Sequence, residues 1–317
     1  MHEVVVVGGG IGGLTAAALL AARGLDVCLV ERASRVGGCC VSFESFGHTF
    51  EQGAGLYAAW GPGEIHERGF AGLPVEPPRV RRLSPAYVVR THEGQDVRVG
   101  GTREEFLEVL RASFRECADT AVNFYSDAFK IADAIERAAR RTPALATASR
   151  LERLRLAATE PRLFTRILAA REETAAPHLS HASSRFRRFV DAQLQIYAQA
   201  PSEECSYLYA ALALAQPYRG MYAIEGGAQA RADALAESVR RCGGRLRLDS
   251  TALRVAIDAR GRAIGVDLIS GESVEASRAV VSNLTVWDTY DKLLGADRTP
   301  ASVRAQLKAL RTLVQSG

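Results

Sequence analysis

The sequence lacks the features that mark secreted, membrane-spanning and metal-dependent proteins. Its 6 cysteines have no metal-type spacing, and the adjacent pair Cys39-Cys40 is not a C-x-x-C motif, so we expect reduced thiols and no metal site. The N-terminus has no basic region, and glycines interrupt its apolar run, so we expect no signal peptide. No uncharged run is long enough to span a membrane. These absences predict a cytoplasmic protein.

Concentrated charge and low-complexity tracts are also missing. The net charge is only +4 over 317 residues, and the basic residues, nearly all arginine, are scattered rather than massed, so nucleic-acid binding is not expected. Near-average hydrophobic and charged fractions predict a globular chain, and the length predicts two domains. No Ser/His/Asp arrangement or metal-ligand constellation is visible.

A hydrophobic run followed by glycines opens the chain. Val4–Val7 are four consecutive valines, typical of a central parallel strand covered on both faces, and residues 14–23 are rich in helix formers. Between them Gly8 allows a tight turn, Gly10 lets a pyrophosphate approach the backbone, and Gly13 allows close packing of helix on strand. The helix N-terminus would attract the pyrophosphate.

A second strand supports this interpretation. Residues 26–30 are predicted to form a strand that ends on Glu31, at the spacing where a carboxylate accepts hydrogen bonds from an adenosine ribose. A carboxylate there disfavours a 2'-phosphate, so NADP is not expected. An empty doubly wound domain is the alternative, but strand, glycines, helix, strand and acid agree on dinucleotide binding.

A second glycine pair, Gly37-Gly38, follows the acid. Here the chain resembles the FAD-dependent flavoproteins that include phytoene desaturases, carotenoid isomerases and amine oxidases, whose "E-x-x-x-x-x-G-G-R" segment lies along the flavin. Cys39 stands where that family usually has arginine, and an ordinary surface turn is the alternative. Residues 281–285 are close to the "V-S-N-x-T" segment of carotenoid desaturases.

The resemblance implies that FAD is the cofactor, and it also implies which residues bind it. It implies an α/β fold in which an FAD-binding, Rossmann-like parallel sheet carries an inserted, mainly helical substrate domain. No catalytic residue is assigned, because His48, His66, His178 and His181 are more easily explained as structural than as acid or base groups. The implied cofactor-binding residues are Gly8, Gly10, Ile11, Gly12, Gly13, Glu31, Arg32, Gly37, Gly38, Cys39, Gly53 and Ala252.

Domain boundaries are placed from prolines and a change in composition. Residues 74–78 are proline-rich, so we predict a first part of the FAD-binding domain over 1–78, a substrate domain over 79–217 and a second FAD-binding part over 218–295. The last stretch, 296–317, is interpreted as the tail of a C-terminally truncated form, because family members continue further.

The substrate domain carries its own local signals. A hairpin is predicted with strands at 87–90 and 97–99, and Thr102 with Glu105 forms a capping box that opens a helix. Further helices are predicted over 123–140, 144–158, 161–172 and 184–198. Residues 206–215 are uncharged all round, which indicates either burial in the core or a lipid-lined tunnel.

The resemblance implies carotenoid-type desaturation or isomerisation of a long apolar polyene by a flavoenzyme. Peripheral contact with a membrane is expected from the apolar segment 206–215, while the oligomeric state stays open. The alternatives are an amine oxidase or another flavin oxidoreductase, a non-catalytic prenyl- or lipid-binding protein, and an inactive fragment. Gly8, Gly10, Gly13 and Glu31 argue against the non-catalytic carrier.

Overall fold

The computed structural model describes residues 1–53, 55–141, 149–159, 161, 164–165 and 173–315. These residues form two compact units. The first unit comprises Met1–Arg81 and Tyr222–Gly317, and the second comprises Arg82–Met221. The chain therefore leaves the first unit once and returns to it.

A six-stranded mixed sheet forms the centre of the first unit. Across the sheet its strands follow in the order β10 (Ala252–Ile257), β11 (Ala263–Leu268), β12 (Ser273–Ser282), β1 (His2–Val7), β2 (Val27–Val30) and β9 (Arg245–Arg247). The middle of the sheet is parallel, because β1 runs parallel to β12 and β2, and β2 runs parallel to β9, whereas β10, β11 and β12 are antiparallel.

The four valines of β1 are buried, as the sequence predicts, because each face of the sheet is covered. Val4 and Val6 pack on one face with helices α1 (Ile11–Ala21) and α8 (Gly227–Arg241). Val5 and Val7 pack on the other face, where apolar residues of β10, β11 and β12 lie. A strand covered on both faces needs apolar residues at every position, which explains the unbroken run.

Smaller elements complete the first unit. A hairpin pairs β3 with β4, and β5 pairs with β8. The remaining elements are β3 (Ser42–Ser45), β4 (His48–Glu51), α2 (Ile65–Phe70), β5 (Val80–Arg82), β8 (Tyr222–Ile224), a π-helical segment (Asp288–Leu293) and α9 (Ala301–Gln315).

The second unit is mainly helical, as predicted, and contains the predicted hairpin. Strands β6 (Tyr87–Arg90) and β7 (Asp96–Val99) pair antiparallel. The predicted helix over 161–172 lies outside the described residues apart from isolated positions. The described helices are α3 (Arg103–Ser113), α4 (Ala118–Arg141), α5 (Arg150–Thr159), α6 (Ser184–Tyr197) and α7 (Tyr207–Arg219), with short 3-10 turns at Arg115–Cys117 and Ala176–Leu179.

The capping box at the start of α3 is confirmed. The Thr102 hydroxyl accepts a hydrogen bond from the Glu105 N–H at 3.2 Å, and the Glu105 carboxylate accepts one from the Thr102 N–H at 3.0 Å. Two amide groups that a helix start leaves without partners are thereby satisfied.

Helix α7 belongs to the core of the second unit. Tyr207, Ala210, Ala211 and Leu214 are fully or almost fully buried, together with aromatic side chains of α3, α4 and α6. Tyr209 is about half exposed, at 48%. Of the two interpretations of this uncharged segment, core burial is confirmed.

Two further properties concern the whole described part of the chain. No helix within the described ranges combines the length and the apolar character needed to cross a bilayer. Among the described side chains, no group of three His, Cys, Asp or Glu is placed to hold a metal ion.

Candidate functional site

The turn between β1 and α1 has the geometry of an anion-binding loop. Gly8 has a φ of +99°, a left-handed conformation that glycine adopts without strain. Gly10 precedes the first residue of α1 in an extended conformation, and no side chain caps the helix or places a negative charge in its first turn. The N-terminus of α1 therefore presents N–H groups and the positive end of the helix dipole, which favour a phosphate.

Close packing of α1 on β1 explains one of these glycines. A Cβ atom added at Gly13 would lie 2.0 Å from the Gly8 carbonyl oxygen. No side chain fits there unless the helix moves away from the turn. Gly13 thus keeps the helix N-terminus close to the carboxyl end of β1, which is the end of the strands where open α/β sheets bind ligands.

Glu31 joins the end of β2 to this turn. Its side chain is buried, at 8% exposure. One carboxylate oxygen accepts a hydrogen bond from the Gly9 N–H at 2.6 Å, and the other accepts one from the Ala33 N–H at 2.8 Å. A carboxylate has about four acceptor positions, so Glu31 retains the capacity to accept hydrogen bonds from ribose hydroxyls while its position is fixed by the backbone.

The second glycine pair lies against the first glycine turn. The Gly37 N–H donates to the Gly9 carbonyl oxygen at 2.8 Å, and an added Cβ at Gly38 would lie 3.1 Å from the Gly10 Cα. Sequence analysis left open an ordinary surface turn, but the structure places this pair beside the predicted pyrophosphate loop. A Cβ added at Gly37 would lie 2.8 Å from the Cys40 carbonyl oxygen, so a side chain does not fit at that position.

The residues that follow the pair extend the same surface. Cys39 is exposed. A Cβ added at Gly53 would lie 2.8 Å from the Cys39 carbonyl oxygen, so Gly53 also permits a close backbone approach. These two predicted residues are therefore neighbours.

The predicted adenine contact, Ala252, begins β10 and is half-buried. Two residues earlier, the Ser250 N–H donates to the Glu31 carbonyl oxygen at 2.9 Å, so this segment runs beside the predicted ribose carboxylate. Arg32 is exposed. The pKa of Asp288 is lowered mainly by hydrogen bonds from Lys292 and Thr285, and the positive charge of Arg32 adds to this effect.

Asn283 is a site residue that the sequence did not assign. Its N–H donates to the Val7 carbonyl oxygen at 2.8 Å. Its carboxamide covers the glycine turn, because a Cβ added at Gly12 would lie 2.4 Å from the Asn283 Oδ1 and one at Gly10 would lie 2.9 Å from the Nδ2. Asn283 belongs to the "V-S-N-x-T" segment, but the sequence alone does not connect that segment to the turn.

Of the four histidines considered in the sequence, His48 and His66 belong to the first unit and occupy different environments. His48 is exposed on β4. His66 stacks on Trp60 with ring centroids 4.6 Å apart. Burial, followed by the positive charge of Arg231, lowers the pKa of His66 to about 4. His66 is therefore neutral at pH 7.

The other two histidines lie in the second unit. The His178 Nε2 is 3.1 Å from a Glu173 carboxylate oxygen, and its ring stacks on Tyr207 at 3.5 Å. His181 is exposed. The contacts of His178 are those of a packed structural residue.

Together these residues fit the adenosine diphosphate half of a dinucleotide. An uncapped helix N-terminus, side-chain-free glycine turns and a backbone-anchored carboxylate all belong to the first unit. The donors suit a pyrophosphate and the acceptor suits a ribose.

Comparison with known proteins agrees with this geometry. Residues 11–307 match the family described as "Flavin containing amine oxidoreductase". The chain is 26% identical over 310 residues to the chloroplastic prolycopene isomerase of Arabidopsis thaliana, covering 95% of this chain and 50% of that protein. It is 26% identical over 333 residues to human all-trans-retinol 13,14-reductase, covering 98% of this chain and 52% of that protein. The chain thus spans about half the length of these curated relatives.

A solved structure shares the fold. An oxidoreductase from Methanosarcina mazei superimposes with a TM-score of 0.60 at 18% identity, covering 96% of this chain and 64% of that chain. This likeness concerns the fold.

Proposed function

The chain belongs to the flavin-containing amine oxidoreductase family. We propose that it is all or part of an FAD-dependent oxidoreductase that desaturates or isomerises a long apolar polyene. Membership of this family confirms the resemblance that the sequence indicated, and it confirms FAD as the predicted cofactor. The observation that carries the finer proposal is that two relatives named for prolycopene and for retinol, both conjugated polyenes, align with almost the whole chain.

The residues of the first unit are assigned roles toward FAD. Glu31 would accept hydrogen bonds from the adenosine ribose, and the N-terminus of α1 would hold the pyrophosphate. Gly37 and Gly38 would allow the backbone to lie along the cofactor, with the Ala252 backbone at the adenine. FAD, when bound, supplies the exchange of a hydride or of electrons with the substrate.

The chain itself would position the polyene and exclude water. A hydrocarbon offers no polar group to recognise, so no acid-base pair is required for its binding. His66, whose pKa burial lowers to about 4, is neutral at pH 7 and therefore supplies no imidazolium acid there. The second unit, with its apolar helical core, is proposed as the substrate domain.

Cofactor binding is tested first. Purified protein should release FAD on heat denaturation, and its flavin content should fall in Glu31→Ala. Protein that takes up no added FAD would contradict the assignment of the glycine turn.

Substrate class is tested in a carotenoid-producing host. The chain is expressed alone and joined to the C-terminal half of a relative, because it spans about half the length of its relatives. We expect phytoene or lycopene precursors to be lost or isomerised, as measured by chromatography. With the Glu31→Ala form we expect the polyene composition to stay unchanged. An FAD-loaded protein that leaves every polyene unchanged but oxidises amines would overturn the polyene proposal and leave the cofactor assignment intact.

A further inference from the structure

The carboxamide of Asn283 is a polar group at the glycine turn that the fold itself does not use. The backbone of Asn283 is used, because its N–H donates to the Val7 carbonyl oxygen at 2.8 Å and continues the pairing of β12 with β1. The neighbouring side chain is used as well, since the Ser282 hydroxyl lies 2.7 Å from that of Thr289. The Oδ1 and Nδ2 atoms of Asn283 make no hydrogen bond within the described part of the chain.

Packing holds this carboxamide against the glycine turn. A Cβ atom added at Gly12 would lie 2.4 Å from the Asn283 Oδ1, and one added at Gly10 would lie 2.9 Å from the Nδ2. At Gly13 an added Cβ would lie 3.1 Å from the Asn283 Cβ. Side chains at these glycines would collide with Asn283, so the turn makes room for the carboxamide.

The two polar atoms of the carboxamide face different parts of the turn. The Oδ1 atom lies beside Gly12, in the first turn of α1, where free N–H groups and the positive end of the helix dipole attract an acceptor. The Nδ2 atom lies beside Gly10, the residue at which a pyrophosphate approaches the backbone. An amide nitrogen carries two N–H donors. A donor without an acceptor in the described chain therefore lies where phosphate oxygens are expected.

Glu31 and Asn283 flank the glycine turn from its two sides. Strands β2 and β12 are the two neighbours of β1, Glu31 follows the end of β2, and Asn283 follows the end of β12. The Glu31 carboxylate is the acceptor on one side and is held by the Gly9 and Ala33 N–H groups. No acidic residue lies in the first turn of α1, so no carboxylate there competes for the Asn283 donor.

From this placement we propose that Asn283 is a phosphate-binding residue of the FAD site, whose Nδ2 group donates a hydrogen bond to the pyrophosphate held by the glycine turn. The N–H groups of α1 bind the pyrophosphate from the helix, and the carboxamide binds it from the side of β12. The inference rests on the assignment of the glycine turn to FAD. It adds a side-chain donor, which the glycines of the turn lack.

ADP and adenosine are the probes of this contact, because they differ only in the diphosphate group. Isothermal titration measures ADP binding to the full chain, and ligand-observed NMR measures adenosine binding. Asn283→Ala removes both polar atoms, whereas Asn283→Asp keeps the shape but replaces the donor by a charged acceptor. Asn123→Asp is the matched control, because it makes the same change at the only other asparagine of the sequence, which is exposed in the second unit.

The Asn283 variants should lose affinity for ADP and not for adenosine. Asn283→Ala should bind ADP about tenfold more weakly, because a hydrogen bond to a charged group is lost. Asn283→Asp should bind ADP at least about a hundredfold more weakly, because repulsion between carboxylate and phosphate is added. Adenosine affinity should change by less than about twofold in both variants. Glu31→Ala should weaken the binding of both ligands, because Glu31 is assigned to the ribose.

The stability of the ligand-free protein supplies a readout of opposite sign. The carboxylate of Asn283→Asp would lie beside the uncapped N-terminus of α1, where a negative charge is favourable. The Tm of this variant without ligand should therefore rise by about 1–3 °C. A damaged fold would lower both the Tm and the affinity, whereas a carboxylate in the place of the phosphate raises one and lowers the other.

Two results would overturn the proposal. Asn283→Asp that binds ADP as tightly as the unaltered chain would show that the carboxamide only fills space. Asn283→Ala that binds ADP more tightly would show that the carboxamide obstructs the site. In both cases, ADP binding that Glu31→Ala weakens would leave the FAD assignment intact. An unaltered chain that binds neither ADP nor FAD would contradict the assignment of the glycine turn and this proposal with it.

Discussion

Replacing Glu31 by Ala should weaken both the first unit and its cofactor binding. The carboxylate accepts hydrogen bonds from the Gly9 N–H at 2.6 Å and from the Ala33 N–H at 2.8 Å. Hydrogen bonds to a charged group contribute roughly 1.5–3 kcal/mol each. The Ala33 end is partly accessible to water, so we expect a total loss of about 2–4 kcal/mol in the free energy of unfolding, chiefly from the buried Gly9 N–H left without an acceptor.

Tryptophan fluorescence during urea unfolding measures this change. The chain has 2 tryptophans, Trp60 and Trp287, and both belong to the first unit, so the signal reports on that unit. Glu275→Ala is the control, because Glu275 is an exposed carboxylate of β12. Glu31→Gln keeps the shape of the side chain but sets an amide N–H₂ toward a backbone N–H. Its free energy of unfolding should therefore lie between those of Glu31→Ala and Glu275→Ala.

FAD titration adds an independent readout. Loss of the ribose hydrogen bonds should raise the dissociation constant about 10- to 150-fold, the equivalent of 1.5–3 kcal/mol. The reasoning is refuted if Glu31→Ala unfolds within about 0.5 kcal/mol of the unaltered chain, the usual range for a surface substitution. An unchanged dissociation constant in a stable variant would remove Glu31 from the cofactor site.

Three further predictions follow from local geometry. Gly13→Ala should destabilise the first unit by at least about 1–3 kcal/mol in urea unfolding, because its Cβ would lie 2.0 Å from a backbone oxygen of the turn. Gly69→Ala is the control. It should be neutral or stabilising, because Gly69 lies in a helix and a Cβ added there would have no heavy atom within 4 Å. Thr102→Ala should cost about 1 kcal/mol in thermal unfolding through loss of its cap, and an unchanged Tm would contradict the capping box. His66 has a pKa lowered to about 4 by burial and by Arg231, so the unfolded state binds the proton more readily and stability should fall as pH drops from about 6.5 to 4. Allowing for its partial exposure, the loss should be about 1–2 kcal/mol, and His66→Phe, which keeps a ring to stack on the neighbouring tryptophan, should remove that part of the pH dependence.

The sequence by itself determined the elements whose causes are local. Four adjacent valines specify a strand buried on both faces, and the glycines that follow specify its turn. Thr102 and Glu105 specify a helix start because the partners are three residues apart. The position of Glu31 beside the glycine turn could be predicted because the path from that turn to the end of the next strand has a nearly fixed length.

The tertiary structure decided which distant segments meet. Asn283 covers the glycine turn only because β12 pairs with β1. This pairing joins a strand near the start of the sequence to one near its end. The sequence is compatible with a surface turn or a site at Gly37 and Gly38, and only the tertiary structure shows that the Gly37 N–H donates to the Gly9 carbonyl oxygen.

The packing of distant segments also decides which side chains are exposed to water. The alternation of the segment around Phe46 gives two faces of a hairpin, but it does not say which face is covered. The position of α8 decides this, because its first turn binds Glu51 and leaves Phe43 and Phe50 on the open side. Periodicity thus determines how side chains are grouped, and only the packing of distant elements determines which group meets water.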